Sequence, residues 1–199
     1  MNTEGLRALS ERLFDKAGPI YRRSTPELEA IIESTAVSIH AGTRSHGRSL
    51  EKIREDARGL VLELELASFR GMRRNPLKFD RTDPNSYAYD VFDSRTGIRI
   101  ECKAAFKEKW MVWWPHAFET FLSNRQYVDA VVGGSVSFSN GWYETRIALV
   151  ADAKSFHEYI LDSKQTQGKK FYSHFTAERA GRAFIYKNDE DQKDQDGSC

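Results

Sequence analysis

Asp90, Glu101 and Lys103 are the residues of this chain whose types and spacing could carry chemistry together. Two strand-like runs, 87–92 and 98–106, flank Asp93-Ser-Arg-Thr-Gly97, which has the turn chemistry of a β-hairpin. Successive side chains of a strand point to opposite faces, so Glu101 and Lys103 share one face while Ile100, Cys102 and Ala104 take the other. A turn centred between Arg95 and Thr96 pairs residues whose numbers sum to 191 and sets Asp90 opposite Glu101; a turn centred one residue later sets Asp90 opposite Lys103. Either register gathers the three on one face.

Two carboxylates opposed on neighbouring strands repel unless something positive lies between them. A divalent cation supplies that charge. Magnesium prefers oxygen ligands, keeps several waters and is held by one or two carboxylates together with substrate phosphate, which suits a site of this size. A lysine two residues along can orient or help deprotonate an attacking water, or balance charge developing on the phosphate. The competing reading is an amphipathic hairpin whose Asp90, Arg99, Glu101 and Lys103 form a solvated face of mixed ion pairs. Against it stand Tyr89, Val91 and Phe92 around Asp90, and Ile98, Ile100, Ala104, Ala105 and Phe106 around the charged pair, which make both strands look buried on both faces.

Asp90, ten intervening residues, then Glu101-Cys102-Lys103 resembles the PD-(D/E)XK signature of the restriction-endonuclease-like nucleases, with Tyr89 where the motif's proline stands. The order of helix, hairpin, strand, helix and strand over 49–161 resembles that family's common core. The resemblance implies phosphodiester hydrolysis, with Asp90 and Glu101 holding magnesium, the Cys102 carbonyl as a further ligand and Lys103 beside the water. Manganese would substitute. Family members often add a glutamate from the preceding helix, and Arg58-Gly59-Leu-Val-Leu-Glu63 resembles the glycine-then-glutamate pattern of resolvase-like members. Glu63 is the choice here, with Glu65 second. Small nucleases of this type often act as dimers, so a homodimer is possible.

The elements that must position these residues follow from periodicity. Leu6, Leu9, Leu13 and Phe14 predict a helix over 6–16, stopped by Gly18-Pro19, and Thr25-Pro26 has the form of an N-cap and first helical position for a second helix. Residues 40–46 read as a loop. Leu50, Ile53, Ala57, Leu60, Val61, Leu64 and Ala67 trace one apolar face of a helix running from Ser49 to Gly71. Leu60, Val61, Leu62, Leu64 and Leu66 leave its second half apolar nearly all round, so a carboxylate at Glu63 asks for a reason other than solvation. Beyond the hairpin, Val112 begins a further strand, 117–123 a short helix, 130–138 and 144–150 two strands joined at Asn140-Gly141, 153–161 a helix, and 182–186 the last element. The pattern predicts an α/β fold with a mixed central β-sheet flanked by helices, a restriction-endonuclease-like core over 49–187. An N-terminal helical extension over 1–48 precedes it, and a disordered charged tail over 188–199 follows.

Arg70, Arg73, Arg74, Lys78 and Arg81 place five basic residues within twelve positions just before the hairpin, and Lys107 and Lys109 leave the second strand. These residues could border the cleft and neutralise a phosphate backbone, which makes DNA the expected partner. Trp110, Trp113 and Trp114 with Pro115 form an aromatic group that core packing explains as well as base stacking does.

With 199 residues, 30 basic and 29 acidic, and a net charge of +1, the composition is that of one ordinary globular domain and names no partner by itself. The five histidines lack metal-ligand spacing, which disfavours zinc or HNH chemistry. No glycine-rich phosphate loop or serine elbow is present, so no nucleotide cofactor is expected. Cys102 and Cys199 suit no disulfide framework, and no stretch reads as a secretory leader or a membrane span, so a cytoplasmic protein is expected. The expectation is a magnesium-dependent DNA endonuclease. A non-catalytic nucleic-acid-binding module on the same fold, and an unrelated α/β protein with an accidental motif, are the other readings.

Overall fold

A computed structural model describes residues 3–14, 19–41, 49–76, 89–106, 111–113, 128–154, 166–167 and 170–173. Helix α1 spans Thr3–Phe14, strand β1 Ile20–Arg23, and helices α2, α3 and α4 Pro26–Ala41, Leu50–Ala57 and Leu60–Ala67. Strands β2 (Met72–Arg74), β3 (Val91–Asp93), β4 (Ile98–Phe106), β5 (Met111–Trp113), β6 (Ala130–Ser139), β7 (Trp142–Asp152), β8 (Thr166–Gln167) and β9 (Lys170–Ser173) follow. Six strands form one mixed sheet in the order β1-β7-β6-β4-β3-β2, and β5, β9 and β8 form a separate small sheet. Only the β4–β6 pair within the six is parallel. The expected α/β architecture, a mixed sheet flanked by helices with a helix at the N-terminus, is therefore present.

Strand β4 has the predicted bounds, and the β3–β4 register pairs Val91 with Ile100, Phe92 with Arg99 and Asp93 with Ile98. These numbers sum to 191, the register centred between Arg95 and Thr96. Asn140 and Gly141 both take positive φ, 51° and 77°, as a two-residue hairpin turn between β6 and β7 requires. Thr25 caps α2 as its sequence implies, its Oγ1 accepting the Leu28 N–H at 3.2 Å.

Other elements depart from the periodicity. The single helix expected over 49–71 is two, because Val61 N–H bonds to the Arg58 carbonyl and Leu62 N–H to that of Gly59. These three-residue loops tighten the chain at a glycine, where helix propensity is weakest. Of the loop expected over 40–46, residues 40 and 41 belong to α2, and the rest lies outside the described residues. Strands β1 and β2 were not legible: each is a short edge strand dominated by arginine, with too few residues for alternation to show. Strand β3 starts at Val91 rather than 87, with Tyr89 and Asp90 lying ahead of it. The helix predicted over 117–123, most of that over 153–161, the element at 182–186 and the tail lie outside the described residues.

One core joins these pieces. Leu6, Leu9 and Leu13 of α1, Leu28 and Ile32 of α2, Val61, Leu62 and Leu66 of α4, and Val91, Ile100, Val132 and Tyr143 of the sheet belong to a single buried cluster. Residues of the N-terminal 48 thus supply both core side chains and the β1 edge of the sheet. The inner face of β4 turns Ile98, Ile100, Cys102 and Ala104 toward this core. Among the described residues no helix is long and apolar enough to cross a membrane.

Candidate active site

Asp90 stands where the β3–β4 ladder gives out. Its N–H bonds to the Ile100 carbonyl at 2.9 Å, its carbonyl accepts the Asn75 N–H at 2.9 Å, and its Oδ2 accepts the Cys102 N–H at 2.7 Å. The β3–β4 pairing begins at Val91, opposite Ile100, and Asp90 lies just outside it. The Asp90 carboxylate thus takes a backbone donor of β4 just beyond the last β3–β4 pair. Asn75, itself buried, also donates through Nδ2 to the Tyr89 carbonyl at 3.1 Å. Both residues before β3 are thereby fixed from β2's end, and a charge-assisted bond of this kind sets the carboxylate's direction.

Glu101 and Lys103 share the outer face of β4, as the alternation requires, and the Lys103 ammonium is ion-paired with Glu101 Oε1. Both side chains are largely buried, at 15% and 23% exposure, so their attraction is less screened than a surface pair's. Beside them on β6 lie Val131, fully buried, and Gly133, which puts no side chain next to Lys103. The Asp90 carboxylate reaches the backbone of Cys102, the residue between Glu101 and Lys103, so these four residues adjoin at the middle of β4.

Among the described residues no group of three or more His, Cys, Asp and Glu side chains is placed to hold a metal ion. The donors gathered here are two carboxylates and the Cys102 carbonyl. These hard oxygens are fewer than a closed cage needs, and they fit magnesium, which completes its shell with water and phosphate.

The two glutamates of α4 part company. Both are buried, but the Glu63 carboxylate lies 3.5 Å from Arg74 Nη2, while Glu65 is ion-paired with Arg22 of β1. Arg74 precedes Asn75, whose backbone holds Asp90, so Glu63 faces the Asp90 end of the hairpin. Glu65 faces the opposite edge of the sheet.

Of the basic candidates, Arg70 is exposed, Arg73 is exposed with its guanidinium 5.2 Å from the Phe92 ring centre, and Arg74 is half-buried against Glu63. Lys78, Lys107 and Lys109 lie outside the described residues, as do Trp110 and Trp114, while Trp113 is in β5. Sequence reasoning missed Asn75 and Asp129. Asn75-Pro76 carries an ordinary turn signal that hides a buried amide. Asp129 clamps the Arg99 backbone N–H and guanidinium at 2.9 to 3.1 Å and so fixes the start of β4 against β6.

The model of the family described as bacteriophage T4 endonuclease IV matches residues 13–133. That span runs from the end of α1 into β6 and includes every candidate site residue. No curated protein and no solved structure matches the chain.

Proposed function

Because the chain belongs to the bacteriophage T4 endonuclease IV family, we propose that it is a DNA endonuclease whose magnesium-dependent active site is of the PD-(D/E)XK type. The observation that carries this reading is the meeting of the Asp90 carboxylate with the Cys102 N–H beside the Glu101–Lys103 pair. Asp90, Glu101 and the Cys102 carbonyl would hold the metal, and Glu63 is the proposed fourth member. Magnesium bound there supplies Lewis acidity, making a bound water more acidic and stabilising charge on the phosphate. Manganese, with a similar preference for oxygen ligands, would substitute.

The protein's own part is positional. The Cys102 N–H and the Asn75 clamp aim the Asp90 carboxylate before any substrate arrives, which lowers the cost of ordering the site. Lys103, held on Glu101, presents a cation beside the attacking water, where it orients the water and balances charge gathering on the phosphate. Arg70, Arg73 and Arg74, with Lys78, Lys107 and Lys109, are proposed to meet the DNA backbone. The proposed catalytic unit spans 49–187, and two copies could act as a dimer on two strands.

The test is cleavage of supercoiled, linear, branched and single-stranded DNA by the wild type, Asp90→Ala and Lys103→Ala, with magnesium, manganese or a chelator. Metal-dependent cutting that both variants lose is the expected result. Cutting that persists in both sinks the assignment of the site. A wild type that binds DNA without cutting it in any metal replaces the endonuclease by a non-catalytic binding module.

A further inference from the structure

The strand registers carry the face that bears Lys103 across the sheet to its far edge. Lys103 pairs with Gly133 of β6, and alternation along β6 puts Ser135, Ser137 and Ser139 on that same face. In the next pairing these serines stand opposite Arg146, Glu144 and Trp142 of β7; in the last, Glu144 meets Tyr21 of β1 and Trp142 meets Arg23. Burial agrees with this phase. Tyr143 and Thr145, one residue out of step, are fully buried on the core side, and Arg22, between Tyr21 and Arg23, reaches Glu65 of α4.

The two faces of this corner differ in how their rings are covered. On the core side Phe138 packs on Tyr143, ring centres 4.7 Å apart, and carries the Arg58 guanidinium 5.4 Å from its own ring centre. On the Lys103 side Tyr21 and Trp142 are 60% and 46% exposed, and neither has a ring or cation contact among the described residues. They are diagonal neighbours in the β1–β7 register, so they form one apolar surface rather than two scattered rings. Arg23 lies opposite Trp142 and diagonal to Glu144, yet Glu144 is turned to Arg146 at 2.6 Å. Arg23 is thus exposed, with no carboxylate partner among the described residues.

Flat rings beside a guanidinium suit nucleotides, since a ring takes the apolar surface of bases and sugars while the guanidinium takes a phosphate. Continuity with the candidate active site selects the occupant. Between Lys103 and the corner, β6 turns only Gly133 and three serines to this face, so the strand raises nothing bulky along that line. We infer that Tyr21, Trp142 and Arg23 form a second DNA contact, an anchor for the segment that flanks the scissile phosphate. The inference rests on the nuclease reading above. Gly133 and Ser139 are six positions apart on β6, about 20 Å at the rise of a strand, or roughly six nucleotides along one strand at 3.4 Å per step. The anchor fixes where along the DNA the site acts and leaves the chemistry to Asp90, Glu101 and Lys103.

The test measures equilibrium binding of the full chain to DNA oligonucleotides in chelator, over a range of salt, alongside cleavage in magnesium. Arg23→Ala is expected to weaken binding about fivefold and to lower the salt slope by about one. Trp142→Ala is expected to weaken binding about tenfold at an unchanged salt slope, because a ring carries no charge, whereas Trp142→Phe should keep most of the affinity. These side chains are exposed, so all three variants should melt with the wild type. In cleavage the loss should appear in KM rather than in kcat. Wild-type affinity in either alanine variant overturns the anchor, and leaves the nuclease reading standing if the wild type still cuts. A wild-type dimer that Trp142→Ala separates makes the corner a contact between copies, which also overturns the anchor. A wild type that neither binds nor cuts DNA overturns both.

Discussion

The Asp90 carboxylate accepts the backbone N–H of Cys102 at 2.7 Å, so a side chain completes the ladder that β3 leaves unfinished. The same residue is therefore a structural acceptor and the proposed metal ligand, and substitutions can separate the two roles. Asp90→Asn keeps an oxygen for the Cys102 N–H but loses the charge. It should fold with a Tm near wild type and lose cleavage by on the order of 10²-fold or more, the scale of a removed charge-stabilising or acid–base group. Asp90→Ala should in addition lose about 1–3 kcal/mol of stability, because the charge-assisted bond to the Cys102 N–H is lost. Denaturant midpoints and cleavage rates on both variants measure the difference.

The glutamates of α4 should divide in the same manner. Glu65→Gln breaks the pair with Arg22 that ties α4 to β1, and is expected to cost about 1–3 kcal/mol with cleavage per folded molecule unchanged. Glu63→Gln is expected to act on cleavage and metal dependence, with a smaller change in Tm. A Glu65→Gln variant that folds normally and cannot cut would exchange the two roles.

Tyr143 provides a pH signature. Burial, reinforced by its hydrogen bond to Glu29 at 2.7 Å, pushes the phenol well above its ordinary value of 10.0. The folded state then holds its proton more tightly than the unfolded chain does. The stabilisation is fully present below pH 10.0 and is lost as pH rises beyond it. Tyr143→Phe should flatten the decline of stability above that pH, at a cost of about 1 kcal/mol near neutrality for the lost bond. Urea melts from pH 8 to 11 check both.

Gly134 should not tolerate a side chain. A Cβ there would lie 2.5 Å from the Arg146 carbonyl oxygen, at the irregularity in the β6–β7 register between Gly133 and Gly134. Backbone must move to admit it, so Gly134→Ala should destabilise the fold by about 1–3 kcal/mol. Because Gly133 neighbours Lys103 across the sheet, cleavage should fall as well, and a Tm equal to wild type would refute this account.

What the residues disclosed and what they withheld have physical reasons. The β3–β4 hairpin was legible because a five-residue turn and alternation over nine residues of β4 leave few registers, and both placed the same three side chains on one face. The break between α3 and α4 was not, because Gly59 interrupts the hydrogen bonds without interrupting the apolar pattern. Nor was Asn75, since a buried amide that holds two backbone groups looks in sequence like any Asn before Pro. The choice between Glu63 and Glu65 turns on which arginine each meets. Those partners, Arg74 and Arg22, sit on opposite edges of a sheet whose edge strands the sequence does not betray.

Strand β1 pairs Ile20 with Thr145 and Arg23 with Trp142, so the first strand of this sheet in chain order docks on its last. During synthesis the α1 leucines and the β1 backbone wait for more than a hundred residues to emerge before they find their partners. Closing so long a loop is slow even though its entropy grows only with the logarithm of length. The leucine face of α1 therefore lacks part of its cover until β7 is made, and the long sequence separation is expected to make this docking slower than closure of the local hairpin that carries the candidate active site.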